Sequence, residues 1–359
     1  MRVLVVGPHW HARWTESVRD ALQSLNCEVH VCYYDKTPGR QVASNARSRV
    51  FNYIIRAGIK TPNIARQLLW ATNGQQLHRL LLAAVRTTQP DLIVVLKGES
   101  IIPATLREIK QQSATPPVLT VWYVDNPLLF DERYPYWLVP KCAPLYDRVF
   151  IFDRGYFETM QRLGSQCIAH LPCAFDPARY HPEPARLVHD SGLGSTICLV
   201  GTANSKRASL LLAMQGIPGI GVWGEGWGAH KHKHLEQSIL NAFRGGVLPA
   251  EHASLAYQSA KIVLNSHHPQ TKRAGLNMRA FEVPACGAFQ LMDYVPEMEP
   301  LLEPGHDVAV YRTPQEAGAV AREYLADPEA RQRIARQGHA RVLAEHTYRH
   351  RMQTLLAAL

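Results

Sequence analysis

From Lys36 to Pro90 the chain has no aspartate and no glutamate, although nine basic residues fall there: Lys36, Arg40, Arg47, Arg49, Arg56, Lys60, Arg66, Arg79 and Arg86. That segment alone matches the formal net charge of +9, and the rest of the chain is balanced. Such asymmetry concerns partners rather than fold. Other absences remove whole classes. The seven cysteines, at 27, 32, 142, 167, 173, 198 and 286, contain no Cys-x-x-Cys pair, and their odd number argues against a disulfide framework and for reduced thiols in a cytoplasm. No run approaches the roughly 20 apolar residues that span a bilayer, and the opening MRVLVVGPHW is too short for a signal h-region. The expectation is a cytoplasmic protein, at most peripheral to the inner face of a membrane. After the first apolar run there is no Gly-x-Gly-x-x-Gly, so a standard dinucleotide fingerprint is missing.

What is present is a repeated alternation of short β-rich runs with helix-length segments. In the first half the runs are RVLVVG (2–7), EVHVCYY (28–34), DLIVVLKG (91–98), VLTVWYVDNP (118–127), RVFIFD (148–153) and CIAHLP (167–172). A second series follows with STICLVGT (195–202), IGVWGEG (220–226), AKIVLNS (260–266), AFQLMDY (288–294) and DVAVYR (307–312). Their residues are apolar in succession, the pattern of parallel strands buried on both faces. At 359 residues one core is not enough. The pattern predicts an α/β chain of two Rossmann-like, doubly wound domains facing a central cleft: residues 1–178, a Pro- and Gly-rich linker at 179–194, and residues 195–359. In the tail, Ile334, Val342, Leu343, Met352, Leu355 and Leu356 are expected to be buried on one or two helices broken near Gly338, the last of which crosses back to the first domain.

Ligands of such sheets lie outside the carboxyl ends of the strands, which ranks the candidate residues. Gly7 ends the first strand, and the loop GPHWHARW brings His9 and His11 there, as site residues or as incidental loop histidines. Asp125, in WYVDNP, ends another strand before a proline, as a general base or as a cap of the following loop. In the second domain VGTANSKR places Gly201 and Thr202 at a strand end, with Lys206 and Arg207 opening the next helix, an arrangement suited to phosphate. GLNMRAFE repeats it with Gly275, Asn277, Met278 and Arg279, followed by Glu282. A carboxylate among apolar neighbours needs hydrogen-bond donors, and the hydroxyls of a ribose are such donors. HKHKH (230–234) is read as a solvated basic loop, since no Cys or carboxylate is spaced to complete a metal site. Trp223 and Trp227 are read as packing residues, with base stacking as the alternative. Val50, Phe51, Ile54, Ile55 and Ile59 recur at helical spacing between Arg47, Arg49, Arg56 and Lys60, which describes an amphipathic basic helix.

FEVPACGAFQLMDY, LLEPGHDVAVY and YLADPEARQRIARQGHARVLAEHTYRHRM, in that order, resemble the C-terminal half of the GT-B glycosyltransferases, in particular the spore-maturation-type branch of the group 1 family. The similar region covers residues 195–359. The first half resembles the family through its strand pattern and WYVDNP. The resemblance implies a metal-independent transfer of a sugar from a nucleotide sugar, best matched by a UDP-sugar, with no further cofactor. In retaining members a Glu, seven residues and a second Glu hold the sugar and the ribose. Glu282 stands at the second position, whereas the first is Ala274, so the ribose role carries over, the sugar role does not, and the outcome leans to inversion. RGGVLPAEHAS resembles the base-recognition loop, with Val247 to Pro249 as its candidates. The acceptor is expected to be anionic, lipid-linked or polysaccharide, with membrane contact through residues 36–90 and no nucleic-acid partner. The rival readings are an epimerase or phosphorylase of the same fold, and a non-catalytic nucleotide-sugar or nucleic-acid binding protein.

Overall fold

The computed structural model describes residues 1–9, 13–34, 63–98, 101–112, 115–128, 138–227 and 237–359. They form two compact units, Met1–Leu171 with Arg351–Leu359, and Pro172–His350. In the first unit β1 (Arg2–Gly7), β2 (Glu28–Tyr33), β3 (Leu92–Leu96), β4 (Val118–Tyr123), β5 (Arg148–Ile151) and β6 (Ile168–His170) form a parallel sheet in the order β2-β1-β3-β4-β5-β6. Val3 to Val6 and Leu92 to Leu96 are buried along their whole length, which is why these strands are continuously apolar instead of alternating. Helix α1 (Trp14–Gln23) follows β1, and helices α2 (Asn63–Thr88), α3 (Pro103–Gln111), α4 (Leu138–Cys142) and α5 (Phe157–Arg162) connect the later strands. The order reverses between β1 and β3, which sets the switch point beside Gly7 and Lys97.

The second unit repeats the principle. Strands β7 (Ser195–Val200), β8 (Ile220–Trp223), β9 (Phe243–Gly245), β10 (Ala260–Asn265), β11 (Gln290–Asp293) and β12 (Ala309–Tyr311) lie parallel in the order β9-β8-β7-β10-β11-β12. The switch point falls between β7 and β10. Helices α6 (Ala185–Asp190), α7 (Ser205–Leu212), α8 (Gln237–Ala242), α9 (Ala250–Gln258), α10 (Arg279–Ala285), α11 (Pro314–Ala326) and α12 (Pro328–Glu345) belong to this unit, and α13 (Tyr348–Ala357) ends the chain. Ile197, Leu199, Ile262, Leu264 and Leu291 from the sheet meet Leu210, Leu211, Ala317 and Ile334 from the helices in one core.

Three local expectations change. Residues 179–194 lie inside the second unit and carry α6. β9 is a strand that its sequence, Phe-Arg-Gly, does not announce; it pairs with β8 across a register shift at Val222 and Trp223. Helix α12 runs unbroken through Gly338. The glycine is required by close approach, because a Cβ there would meet the Asp307 carbonyl oxygen well inside contact distance. One residue on, His339 Nδ1 donates to the Pro284 carbonyl at 3.0 Å, so α12 braces α10. Ile334, Val342, Met352 and Leu355 are buried as expected, whereas Leu343 is 43% exposed, on the opposite side of its helix.

Candidate functional site

The carboxyl ends of β7 and β10 are tied together by Arg207. Its guanidinium donates to the Thr202 carbonyl at 2.7 Å and to the Ser266 carbonyl at 3.1 Å. The residue is buried, and burial with the neighbouring Arg279 charge pulls the guanidinium down to about 10. Gly201 makes this possible: an added Cβ would stand 2.8 Å from Arg207 Nη1. Asn204 caps α7, its Oδ1 accepting from the Arg207 N–H at 2.9 Å. The cation expected to face a ligand is therefore a strap between two strand ends, and the neighbouring Lys206 remains for that task. Trp227, fully buried, donates Nε1–H to the Gly201 carbonyl at 2.7 Å, and Trp223 is buried beneath Arg244. Both tryptophans are packing residues here.

Lys206 Nζ donates to Asp293 Oδ2 at 2.6 Å and to the His267 carbonyl at 3.1 Å. Asp293, at the end of β11, also accepts from the His267 backbone N–H at 2.9 Å and from His267 Nδ1 at 2.8 Å. Burial raises the Asp293 carboxyl, but the charges and hydrogen bonds of His267 and Lys206 overcome that and hold it well below the usual carboxylate range. Asp293 and His267 follow from the same rule that selected Asp125, since each ends a parallel strand; apolar runs that close on a polar residue, LMDY and NSHH, were the available signal.

The segment Gly275–Glu282 is built around two amides. Asn265 and Asn277 exchange hydrogen bonds at 3.0 and 2.9 Å, and Asn277 Oδ1 also accepts the Ala280 N–H at 3.1 Å. Asn277 thereby opens α10 and pins it to the end of β10. The backbone N–H groups of Asn277, Met278 and Arg279 make no hydrogen bond among the described residues. Arg279 lies half-buried, with Nε 3.4 Å from Asn265 Oδ1. Ala274 holds a left-handed backbone (φ 54°), uncommon for a residue with a Cβ, and its N–H donates to the Pro296 carbonyl at 2.7 Å. Glu282 reaches a little solvent yet is packed deep among protein atoms. Burial pushes its carboxyl up to about 7, against the pull of Arg279, a hydrogen bond from the Tyr180 hydroxyl and the Arg179 charge. One of its donors thus belongs to the protein. Val247 is 68% exposed, in the loop between β9 and α9.

In the first unit Asp125 follows β4 and forms an ion pair with Lys97, which follows β3. Lys97 and Gly98 both take left-handed backbones (φ 64° and 71°), a turn that lifts the ammonium toward β4. His9 packs edge-on against Tyr33, with ring centroids 5.1 Å apart. The Tyr33 hydroxyl donates to Glu16 Oε1 at 2.8 Å; Glu16 is buried, and its Oε2 has no hydrogen-bond partner among the described residues. Glu16 was not among the sequence candidates, because a Glu in the first turn of a helix reads as a dipole partner. His11, the tract at 230–234 and residues 36–62, where the sequence predicts the basic helix, lie outside the described residues. Among the described residues no group of three or more His, Cys, Asp and Glu could hold a metal ion, and no helix is long and apolar enough to cross a membrane.

Two doubly wound α/β units, the second with cations and a capped helix at its switch point, define a two-domain Rossmann-type architecture. Residues 207–357 match the family model described as "Glycosyl transferase-like". The chain is similar to glycosyl transferases over those residues. It is 24% identical over 279 residues to spore protein CgeB of Bacillus subtilis (strain 168), which spans 74% of this chain and 82% of that protein. Its fold is similar to sucrose-phosphate synthase from Thermosynechococcus elongatus (TM-score 0.69, 15% identity, 99% of this chain and 98% of that one). It is also similar to Anabaena HepE in complex with UDP-glucose (TM-score 0.62, 14% identity, 100% of both chains).

Proposed function

We propose that the chain is a glycosyltransferase that takes its sugar from a UDP-sugar held by the second unit and passes it to a hydroxyl acceptor served by the first. The observation that carries the donor assignment is Glu282. It is a buried carboxylate on a helix whose first turn has unengaged N–H groups, beside a switch point that carries Lys206. Ribose hydroxyls donating to Glu282 would complete its hydrogen bonding, and the diphosphate would meet Lys206, Arg279 and the start of α10, where charge develops on the leaving group. The solved complexes of HepE with UDP and with UDP-glucose support uridine as the base. These protein cations supply the charge for a reaction without a metal ion, and Val247 lines the base. Asp125 is the candidate base, with His9 and His11 as further acceptor-side groups. Ala274 in place of a first glutamate supports an inverting outcome. Thermal shift with UDP, GDP and ADP tests the donor. UDP at 100 times its Kd should stabilise the protein by about 2.7 kcal/mol, and equal protection by all three, or by none, would remove the uridine assignment.

The acceptor side rests on the acid-free segment. Arg47, Arg49, Arg56 and Lys60 flank an apolar stripe and suit an anionic lipid-linked or polysaccharide acceptor, or an acidic membrane surface at the inner face. Neutralising all four should raise the acceptor KM or release the protein from anionic vesicles, with strong salt dependence in the wild type, while UDP affinity stays constant. Unaltered acceptor kinetics and vesicle binding in that variant would show these cations to be merely solvated.

A further inference from the structure

A cavity of about 360 Å³ opens between the end of α7, the turn that leads from it into β8, and α8. Its size falls in the range of small-molecule sites, roughly 300–1,000 Å³. Leu211, Met214, Ile217, Ile220, Ile239 and Ala242 line it; Leu211, Met214, Ile239 and Ala242 belong to the hydrophobic core of the second unit, and Ile217 and Ile220 pack against that core. The floor is therefore apolar, and an apolar group fills it without stranding a polar one. Ile220 is the first residue of β8, so the cavity lies at the amino end of the sheet, whereas Lys206 and Asn277 follow the carboxyl ends of β7 and β10. It lies apart from the site assigned to the nucleotide sugar.

The exposed rim supplies the polar chemistry. Arg244, in β9, is anchored there: Nη1 donates to the Gly194 carbonyl at 2.6 Å, and the guanidinium lies 5.6 Å from the centre of the Trp223 ring. Among the described residues no carboxylate pairs with it, and no Asp or Glu lines the cavity. The cation is held in place and lacks a counter-ion. Also on the rim, Asn241 of α8 accepts from Gln237 Nε2 through Oδ1 at 2.9 Å, which leaves its NH2 group as a donor, and Ser238 stands three residues before it on the same face. A neutral apolar occupant would strip water from Arg244 without replacing it, and a second cation would be repelled. One fixed cation with one amino group already engaged matches a single negative charge, and a carboxylate meets the planar guanidinium with charge-assisted hydrogen bonds.

We propose that this cavity is a second small-molecule site of the chain, which takes an amphipathic monocarboxylate with its apolar body on the core residues and its carboxylate on Arg244 and the Asn241 amide. Ile217 and Ile220, partly exposed in the empty cavity, gain burial against that body. The site needs no nucleotide, so it stands or falls independently of the donor assignment. Leu211 is one turn along α7 from Arg207, which places the occupant against the helix that carries the strap.

Octanoate and phenylbutyrate, a linear and an aromatic carboxylate, are the probes, with octanol as the neutral control. In wild-type protein carrying 13C-labelled methionine and isoleucine methyl groups, either carboxylate should shift the Met214, Ile217 and Ile239 resonances saturably and leave that of Met278, at the start of α10, in place. This measurement does not depend on the folding of a variant. Arg244→Gln should weaken both carboxylates by about tenfold, the order expected for a lost charge-assisted hydrogen bond, and leave octanol unchanged. Ala242→Phe, which fills the cavity, should abolish the binding of all three. Absence of saturable shifts with both carboxylates, equal affinities in wild type and Arg244→Gln, or a shift at Met278 without one at Met214 would overturn the assignment.

Discussion

Replacing Asp125 by Asn is expected to lower kcat by about 10²–10⁴-fold, the usual range for loss of a general base. The affinity for UDP should be unchanged, because the base acts on the acceptor hydroxyl and chiefly in the transition state. Asp125 is placed for this at the carboxyl end of β4, 38% exposed at its side chain, with Lys97 holding the carboxylate from the turn after β3. An ion pair this accessible contributes roughly 1 kcal/mol or less to stability. The Asn variant should therefore fold, and its activity can be measured per folded molecule. A variant that retains wild-type kcat but melts earlier would make Asp125 a structural partner of Lys97. The base would then be sought at Glu16, whose Oε2 is unengaged among the described residues, and at His9.

Both sheets were legible in the sequence because strands buried on two faces carry no competing signal. Val3 to Val6 or Leu92 to Leu96 cannot be amphipathic helix. β9 failed that test: Phe-Arg-Gly at a sheet edge has too little apolar character to register. The break assigned to Gly338 failed for the opposite reason. The low helix propensity of glycine was visible, while the Asp307 carbonyl that demands it, 31 residues away in the chain, was not. Glu282 stood out from its apolar neighbours, and the resemblance then suggested a role. Arg207 was chosen for its charge, but its function as a strap depends on the Thr202 and Ser266 carbonyls, which the chain brings together only through the β7 and β10 pairing. For the same reason Lys206, Asp293 and His267 are one cluster in the structure and three unrelated residues in the sequence.

At pH 8 the Glu282→Gln variant should be more stable than the wild type when no nucleotide is bound, and should bind UDP more weakly. The sign follows from the raised carboxyl, about 7 in the folded protein against an ordinary value of 4.5. Below about pH 4.5 the group is protonated whether the chain is folded or not, and it contributes no penalty. As pH rises from 4.5 to 7 the unfolded chain releases its proton while the folded one keeps it, so stability falls, by roughly 3 kcal/mol once pH exceeds the folded value. Glutamine has the same shape, still accepts from the Tyr180 hydroxyl and cannot ionise, which removes that slope. The two proteins should accordingly melt alike near pH 4.5 and diverge above pH 7. Ligand binding should run the other way. An ionised carboxylate accepts from two vicinal hydroxyls with charge assistance, and losing this costs roughly 1.5–3 kcal/mol, about 10- to 100-fold in Kd. Below pH 7 the wild type must release a proton on binding UDP, so its affinity should increase with pH up to about 7, with proton release detectable by calorimetry in buffers of different ionisation enthalpy. In Glu282→Gln both the pH dependence and the proton release should vanish. A variant that melts below the wild type at pH 8, or that binds UDP with wild-type affinity and proton release, would show that the carboxylate is held for the protein's own hydrogen bonding and not for the ribose.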